Sequence, residues 1–181
     1  MNAPYSAVID FWFKEIKPAS WWVKDEIFDQ VICDRFHDIY QQVVLGEYSS
    51  WRQDALGRLA EIIVLDQFPR NMFRDTAKAF QSDGMALILS QEAISLKADT
   101  GLEPSEKSFM YMPFMHSESL HIHTRAVELF ERCGNESNLR FELKHKEIIE
   151  RFGRYPHRNE ILGRKSTPEE LEFLTQAGSS F

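Results

Sequence analysis

The 181 residues carry 21 Lys and Arg against 28 Asp and Glu, a formal charge of −7 at pH 7, with 43% hydrophobic residues, 14 Phe and 4 Trp. This balance excludes wholesale disorder, and a chain of this length buries roughly 70% of its unfolded surface, enough for one self-standing domain over residues 1–181. The net acidity disfavours nucleic acid as a partner.

The start, Met1-Asn2-Ala3-Pro4, lacks a basic stretch, and the apolar Phe11-Trp12-Phe13 is broken at once by Lys14 and Glu15, so neither a signal peptide nor a membrane partner is expected. The longest apolar run placed inside a helix, Met85 to Leu89, is far short of the roughly 20 residues that cross a bilayer. Cys33 and Cys133 have no CxxC spacing, which fits reduced thiols and a cytoplasmic location.

Past Pro4, the residues Val8, Ile9, Phe11, Trp12 and Phe13 predict a short first helix. Ile27, Phe28, Val31, Ile32, Phe36, Ile39, Tyr40, Val43 and Val44 step by one, three and four residues as one helix face does, and Gly46 caps that helix. A third helix opens at Ser50-Trp51 and runs through Leu56, Leu59 and Ile63 toward Asp66, where Pro69 is expected to end it. Ala77 to about Ser95 reads as a fourth, Asp99-Thr100-Gly101 as a turn, and Pro104 to Met112 as a fifth, interrupted or kinked at Pro113. A sixth runs from about Ser119 to Cys133, Gly134-Asn135 turns the chain, and Asn138 is expected to cap a seventh through Arg151 that Gly153 closes. Thr167-Pro168-Glu169-Glu170 joins an N-cap, a first-turn proline and a capping-box glutamate at the last helix start. No stretch reads as a strand. The expected fold is all-α, with seven to nine helices in antiparallel pairs that stack. Ala126 and Phe130 match only one fragment of the tetratricopeptide repeat pattern.

Polar residues carry the chemistry. Between Arg140 and Lys165 basic residues outnumber acidic ones on a chain that is otherwise acidic, a balance that either focuses an anion or pairs on a solvated face. Phe68-Pro69-Arg70-Asn71 and Tyr155-Pro156-His157-Arg158-Asn159 repeat one turn signature, followed by Arg74 and Arg164 respectively. Arginine forks and asparagine amides from two such turns would clamp a carboxylate or phosphate if the turns met; otherwise they tie each turn to nearby carbonyls or buried acids. Asp66 falls in the last turn of its helix and faces the negative end of the helix dipole, so it needs a cation, with Arg70 and Arg74 the local candidates.

Histidines give no metal signature. His121 and His123 point about 200° apart on a helix, and His116 and His123 share a face but lie roughly 10 Å apart. With no HExxH sequence, no metal centre is expected, and no Gly-rich phosphate loop, dinucleotide fingerprint or G-x-S-x-G elbow calls for a cofactor. His116, Ser117 and Glu118 have acid/base residue types but, as sequence neighbours, point apart. Phe109 to Met115 would form an apolar wall, or plain core.

The segments "VIDFWF", "LDQFPRNMFR" followed by "AFQSDGMAL", "EKSFMYMPFMHSE" and "RFGRYPHRNEILGRKSTPEE" occur in this order. In them the chain resembles, over nearly its whole length, the largely bacterial family called domain of unknown function 924. The resemblance implies an α-helical fold of the tetratricopeptide-like superhelical class and no established activity. Its motif positions fall on Asp66, Gln67, Arg70, Asn71, Arg74, Asp83, His116, Glu118, His157, Arg158, Asn159 and Arg164. Three functions fit. The first is a binding protein for a small anionic metabolite or an acidic peptide terminus, with Arg70, Arg74, Arg158 and Arg164 as clamp and Asn71 and Asn159 as orienters. The second is a metal-independent enzyme in which His116 or His157 is the general acid/base and Asp66 or Glu118 orients it. The third is a scaffold for a protein partner.

Overall fold

A computed structural model of the chain describes residues 5–181, and among them every regular element is helical. Pro4, which marks the expected start of the first helix, lies outside the described residues. Helix α1 (Ser6–Asp10) continues into a π-helical turn, Phe11–Glu15, which sends both Phe11 and Trp12 into the core. Asp25 caps α2 (Glu26–Val44) by accepting the amides of Ile27 and Phe28, and α2 buries Ile32, Phe36, Tyr40 and Val43 before Gly46 leaves the helix at φ +76°.

The centre of the molecule is α3 (Ala55–Asp66), in which every residue from Leu59 to Asp66 is buried. A helix apolar on all sides must be surrounded. It is: α3 packs against α1, α2, α4 (Phe68–Met72), α5 (Asp83–Ser95) and α6 (Pro104–Met115). Aromatic rings fill the space, Phe36 on Phe68 at 4.8 Å and Trp12 edge-on to Phe109 at 5.5 Å between centroids. Beyond this core, α6, α7 (Leu120–Cys133) and α8 (Glu136–Phe152) pack successively through short turns, and α9 (Pro168–Leu174) follows the long loop after α8.

Five boundaries differ from expectation. Residues Ser49–Gln53 form a separate 3-10 turn before α3. Pro69 does not terminate a helix; it sits in the first turn of α4, where its missing N–H has no partner to lose. The segment expected as one helix from Ala77 is a 3-10 turn, Ala77–Phe80, and then α5, because Ser82 turns its hydroxyl onto the Leu65 carbonyl at 2.6 Å. Asn135, not Asn138, caps α8, its side chain accepting the Asn138 amide at 3.2 Å. Helix α6 runs through Pro113 to Met115, held by packing, since Ser108 to Met115 are all buried. The capping box at Thr167 and Glu170 stands as its motif reads. Among the described residues no helix is long and apolar enough to cross a membrane.

Gly57 lets α3 lie against the preceding turn. A Cβ there would stand 2.1 Å from the Trp51 carbonyl oxygen. Gly57→Ala is therefore expected to cost about 2 kcal/mol or more by overpacking, a melting-temperature drop of roughly 4–8 °C. Gly84→Ala, with nothing within 4 Å, leaves the melting temperature unchanged or higher in the same calorimetric comparison.

Candidate functional site

The ends of α3, α4 and α6, the start of α5 and the turn at Tyr155–Arg158 converge on Asp66. This carboxylate is wholly buried at the C-terminal end of α3, where both desolvation and the helix dipole oppose its charge. Neighbours compensate. His116, the C-cap of α6, meets Oδ1 through Nδ1 at 2.7 Å, and the Gln67 amide donates to Oδ2 at 2.6 Å. Arg70 Nη1 lies 3.6 Å from Oδ1 and also donates to the Asp66 backbone carbonyl, one of the acceptors a helix end leaves unpaired. Burial alone would raise the Asp66 pKa, but His116 and Arg70 outweigh it and hold the carboxyl at about 2. The His116 pKa is lowered, first by burial and then by Arg70. Facing an ionised acceptor, Nδ1 carries the proton of the neutral ring, and Nε2 is left with a lone pair. Nε2 makes no hydrogen bond among the described residues, and the side chain is 13% exposed.

Arg70 turns its other edge onto Asp83, the first residue of α5, with paired contacts of 2.9 and 3.0 Å. From the second turn Arg158 reaches the same carboxylate at 3.4 Å, its guanidinium between the rings of Phe80 and Tyr155 at 4.5 and 4.6 Å. The two Arg-Asn turns therefore meet, at Asp83. Arg158 is only 5% exposed, and its buried Nε has no partner. Burial and the adjacent Arg70 charge both push its pKa down.

The remaining sequence candidates do not point into this corner. Asn71 and Arg74 bind Asp29 of α2, at 2.7 Å from the amide and at 2.6 and 2.7 Å from the guanidinium. Arg164 grips Glu118 at 2.6 and 2.8 Å, and the Glu118 carboxylate also accepts the Tyr155 amide at 2.7 Å, which fixes the turn that carries Arg158. Asn159 is buried among Arg164, Ser166 and Glu170. His157 stacks near Tyr155 and Phe181, its buried Nδ1 unpaired. Within the basic stretch, Lys146 and Arg154 pair with Glu150 and Glu170. Two shallow clefts of about 270 Å³ lie elsewhere, one beside Asn71, Arg74 and Cys33 and one beside His121 and Arg125. In the first, the strongest donors are already met by Asp29.

A model of the family described as "Bacterial protein of unknown function (DUF924)" matches residues 8–178. The chain belongs to this family. It is also similar to the solved structure of a protein of unknown function from Agrobacterium tumefaciens, at 38% identity and a TM-score of 0.90 over 94% of this chain and 96% of that one. No curated protein matches.

In this member of the DUF924 family a second buried network lies against the first. His123 and His121 diverge as their spacing requires: His123 is fully buried, whereas His121 borders a surface cleft. His123 Nε2 faces the Ser117 carbonyl at 2.8 Å and so carries a proton, while Nδ1 meets Glu142 Oε1 at 2.7 Å. The pair thus holds one further proton between ring and carboxyl, and burial raises the Glu142 pKa. Tyr155 donates its hydroxyl to the Met115 carbonyl and lies 3.1 Å from His123 Nε2, joining this network to the residue before His116. Among the described residues no three His, Cys, Asp or Glu side chains are grouped to hold a metal ion.

Asp29, Glu142 and His145 were not singled out from sequence, and Tyr155 only as the aromatic of its turn signature. Asp29 lies in the first turn of α2, where an acid is ordinary, but Glu142 and His145 fall in register with Asn138 and Ile149 on the buried face of α8, which is a readable signal. Burial lowers the pKa of His145 to about 3 and that of His157 to about 4. Each ring stays neutral in the fold at pH values where the unfolded chain would bind a proton, so its stabilising contribution is complete above the unfolded pKa of about 6.5 and is lost as pH falls toward the folded value. Glu142, with a raised pKa, acts in the opposite sense. Between pH 6.5 and 4.5 the wild type is expected to lose more stability than His157→Gln, by up to about 1.4 kcal/mol per pH unit, in urea denaturation at the two pH values.

Proposed function

We propose that the Arg70–Asp83–Arg158 corner binds a small anion, a carboxylate or a phosphate. The supporting observation is Arg158: a guanidinium 5% exposed, with Nε unpaired and a single 3.4 Å contact to a carboxylate that Arg70 already engages on both oxygens. Buried donors left unmet are costly, and a bidentate anion is the chemical group that best matches a guanidinium fork. Arg70 and Arg158 are the residues we assign to ligand contact. Arg74, Asn71, Arg164 and Asn159 act one step away, holding the two turns in place through Asp29, Glu118 and Glu170. A corner this enclosed suits a small metabolite better than a peptide terminus. Successive packing of α6, α7 and α8 is consistent with tetratricopeptide-like stacking, and two free thiols with a reducing cytoplasm.

A second reading, a metal-independent enzyme, draws on the Asp66–His116 pair: a neutral ring, oriented by a buried carboxylate and with Nε2 unpartnered, has the form of a general base.

A thermal-shift titration with phosphate, citrate and short-chain carboxylates tests the first reading. An anion at 100 times its dissociation constant stabilises by about 2.7 kcal/mol, a shift of roughly 5–10 °C. Arg158→Gln should abolish that shift and Arg74→Gln should keep it. No shift with any anion, or an undiminished shift in Arg158→Gln, would refute the proposal.

A further inference from the structure

We infer that His116 Nε2 selects the ligand of this corner, which is therefore an anion carrying a hydroxyl near its acid group, as in a hydroxy acid or a phosphorylated polyol. The inference rests on the anion site proposed above and goes further by naming the second group that the ligand must carry.

Two independent connections bring His116 and Arg158 to one place. The first runs along a row of side chains, from His116 to Asp66 at 2.7 Å, Asp66 to Arg70 at 3.6 Å, Arg70 to Asp83 at 2.9 Å and Asp83 to Arg158 at 3.4 Å. The second is shorter. Tyr155 donates its hydroxyl to the carbonyl of Met115, the residue before His116, and its ring lies under the Arg158 guanidinium at 4.6 Å. An acid group on Arg158 would then have the end of α6, with Met115 and His116, on the far side of the Tyr155 ring.

What a ligand must offer His116 follows from donors and acceptors. Asp66 has each carboxylate oxygen engaged, by His116 and by Gln67, and Asp83 has both of its own engaged by Arg70. Beside these engaged carboxylates stands a neutral acceptor with no donor of its own, the Nε2 lone pair of a ring whose Nδ1 proton is committed to Asp66. A lone pair repels a second anionic oxygen and accepts from a hydroxyl, so a bare anion gains only the arginine contact whereas a hydroxylated one gains both.

Matched probes measure this directly: 3-hydroxybutyrate against butyrate, and glycerol 1-phosphate against propyl phosphate, each titrated calorimetrically into the full chain. In at least one pair the hydroxylated member should bind tenfold or more tightly, and the pair that does so tells a carboxylate site from a phosphate site. His116→Asn keeps a donor toward Asp66 but lacks an acceptor at the Nε2 position. It should bring the preference within twofold, the hydroxylated probe losing more affinity than its unhydroxylated partner. Should that variant fold poorly, the ¹⁵N shift of His116 Nε2 in the wild type serves instead, moving with the hydroxylated probe and not with its partner. Equal binding within both pairs, or a preference that survives His116→Asn, overturns the selection by His116 and leaves the anion site standing. If no probe binds, the anion site itself fails.

Discussion

A single carboxylate at the wrong end of a helix organises this part of the molecule. Asp66 is fully buried where the dipole of α3 is negative, a position that would protonate the acid or unfold the turn if it stood alone. Its compensation comes from three directions: Gln67 beside it, Arg70 one turn on, and His116 from α6. Arg70 is committed further. Arg70 draws in Asp83 and so fixes the start of α5, and Asp83 draws in Arg158 from a turn far along the chain. One unfavourable charge placement thereby couples four helices and the last third of the sequence.

The arginines around this centre differ in what they have left to give. Arg74 and Arg164 each meet a carboxylate through two nitrogens, at Asp29 and Glu118, and such pairs position backbone without inviting a ligand. Arg158 stands apart because its positive charge is buried, flanked by two aromatic rings, crowded by Arg70 and short of acceptors. Aromatic faces offset part of the desolvation cost of a guanidinium, but they do not accept its in-plane N–H bonds. This difference, more than the number of arginines in the motifs, is what supports the proposed anion site at Arg158.

Much of the fold was legible in the sequence because it depends on local chemistry. The periodic face of α2, the glycines after α2, α7 and α8, and the Thr167 capping box are all set within a few residues. Boundaries set by distant packing were not legible: α6 continues through Pro113 because its surroundings hold it, and the Ala77 segment breaks because Ser82 bonds to α3. The same division runs through the site. Asp66 announced itself as a charge in conflict with its helix, with Arg70 and Arg74 as candidate cations, of which Arg70 meets it and Arg74 binds Asp29. His116 could be recognised as an acid/base residue, but its role as partner to Asp66 spans 50 positions and appears only once α3 and α6 are packed. Asp29 was hidden by its ordinary place in a first helical turn. The sharing of Asp83 by two distant arginines is likewise a tertiary fact.

The most direct test of this account is a double-mutant cycle between Asp66 and His116, with Asp66→Leu, His116→Phe and the double variant compared with the wild type by urea denaturation at pH 7. If His116 compensates the buried carboxylate, each single change leaves the other group without its partner, and the coupling energy should exceed about 1 kcal/mol. Coupling below about 0.3 kcal/mol, with the two single effects adding, would contradict the claim that this pair organises the site.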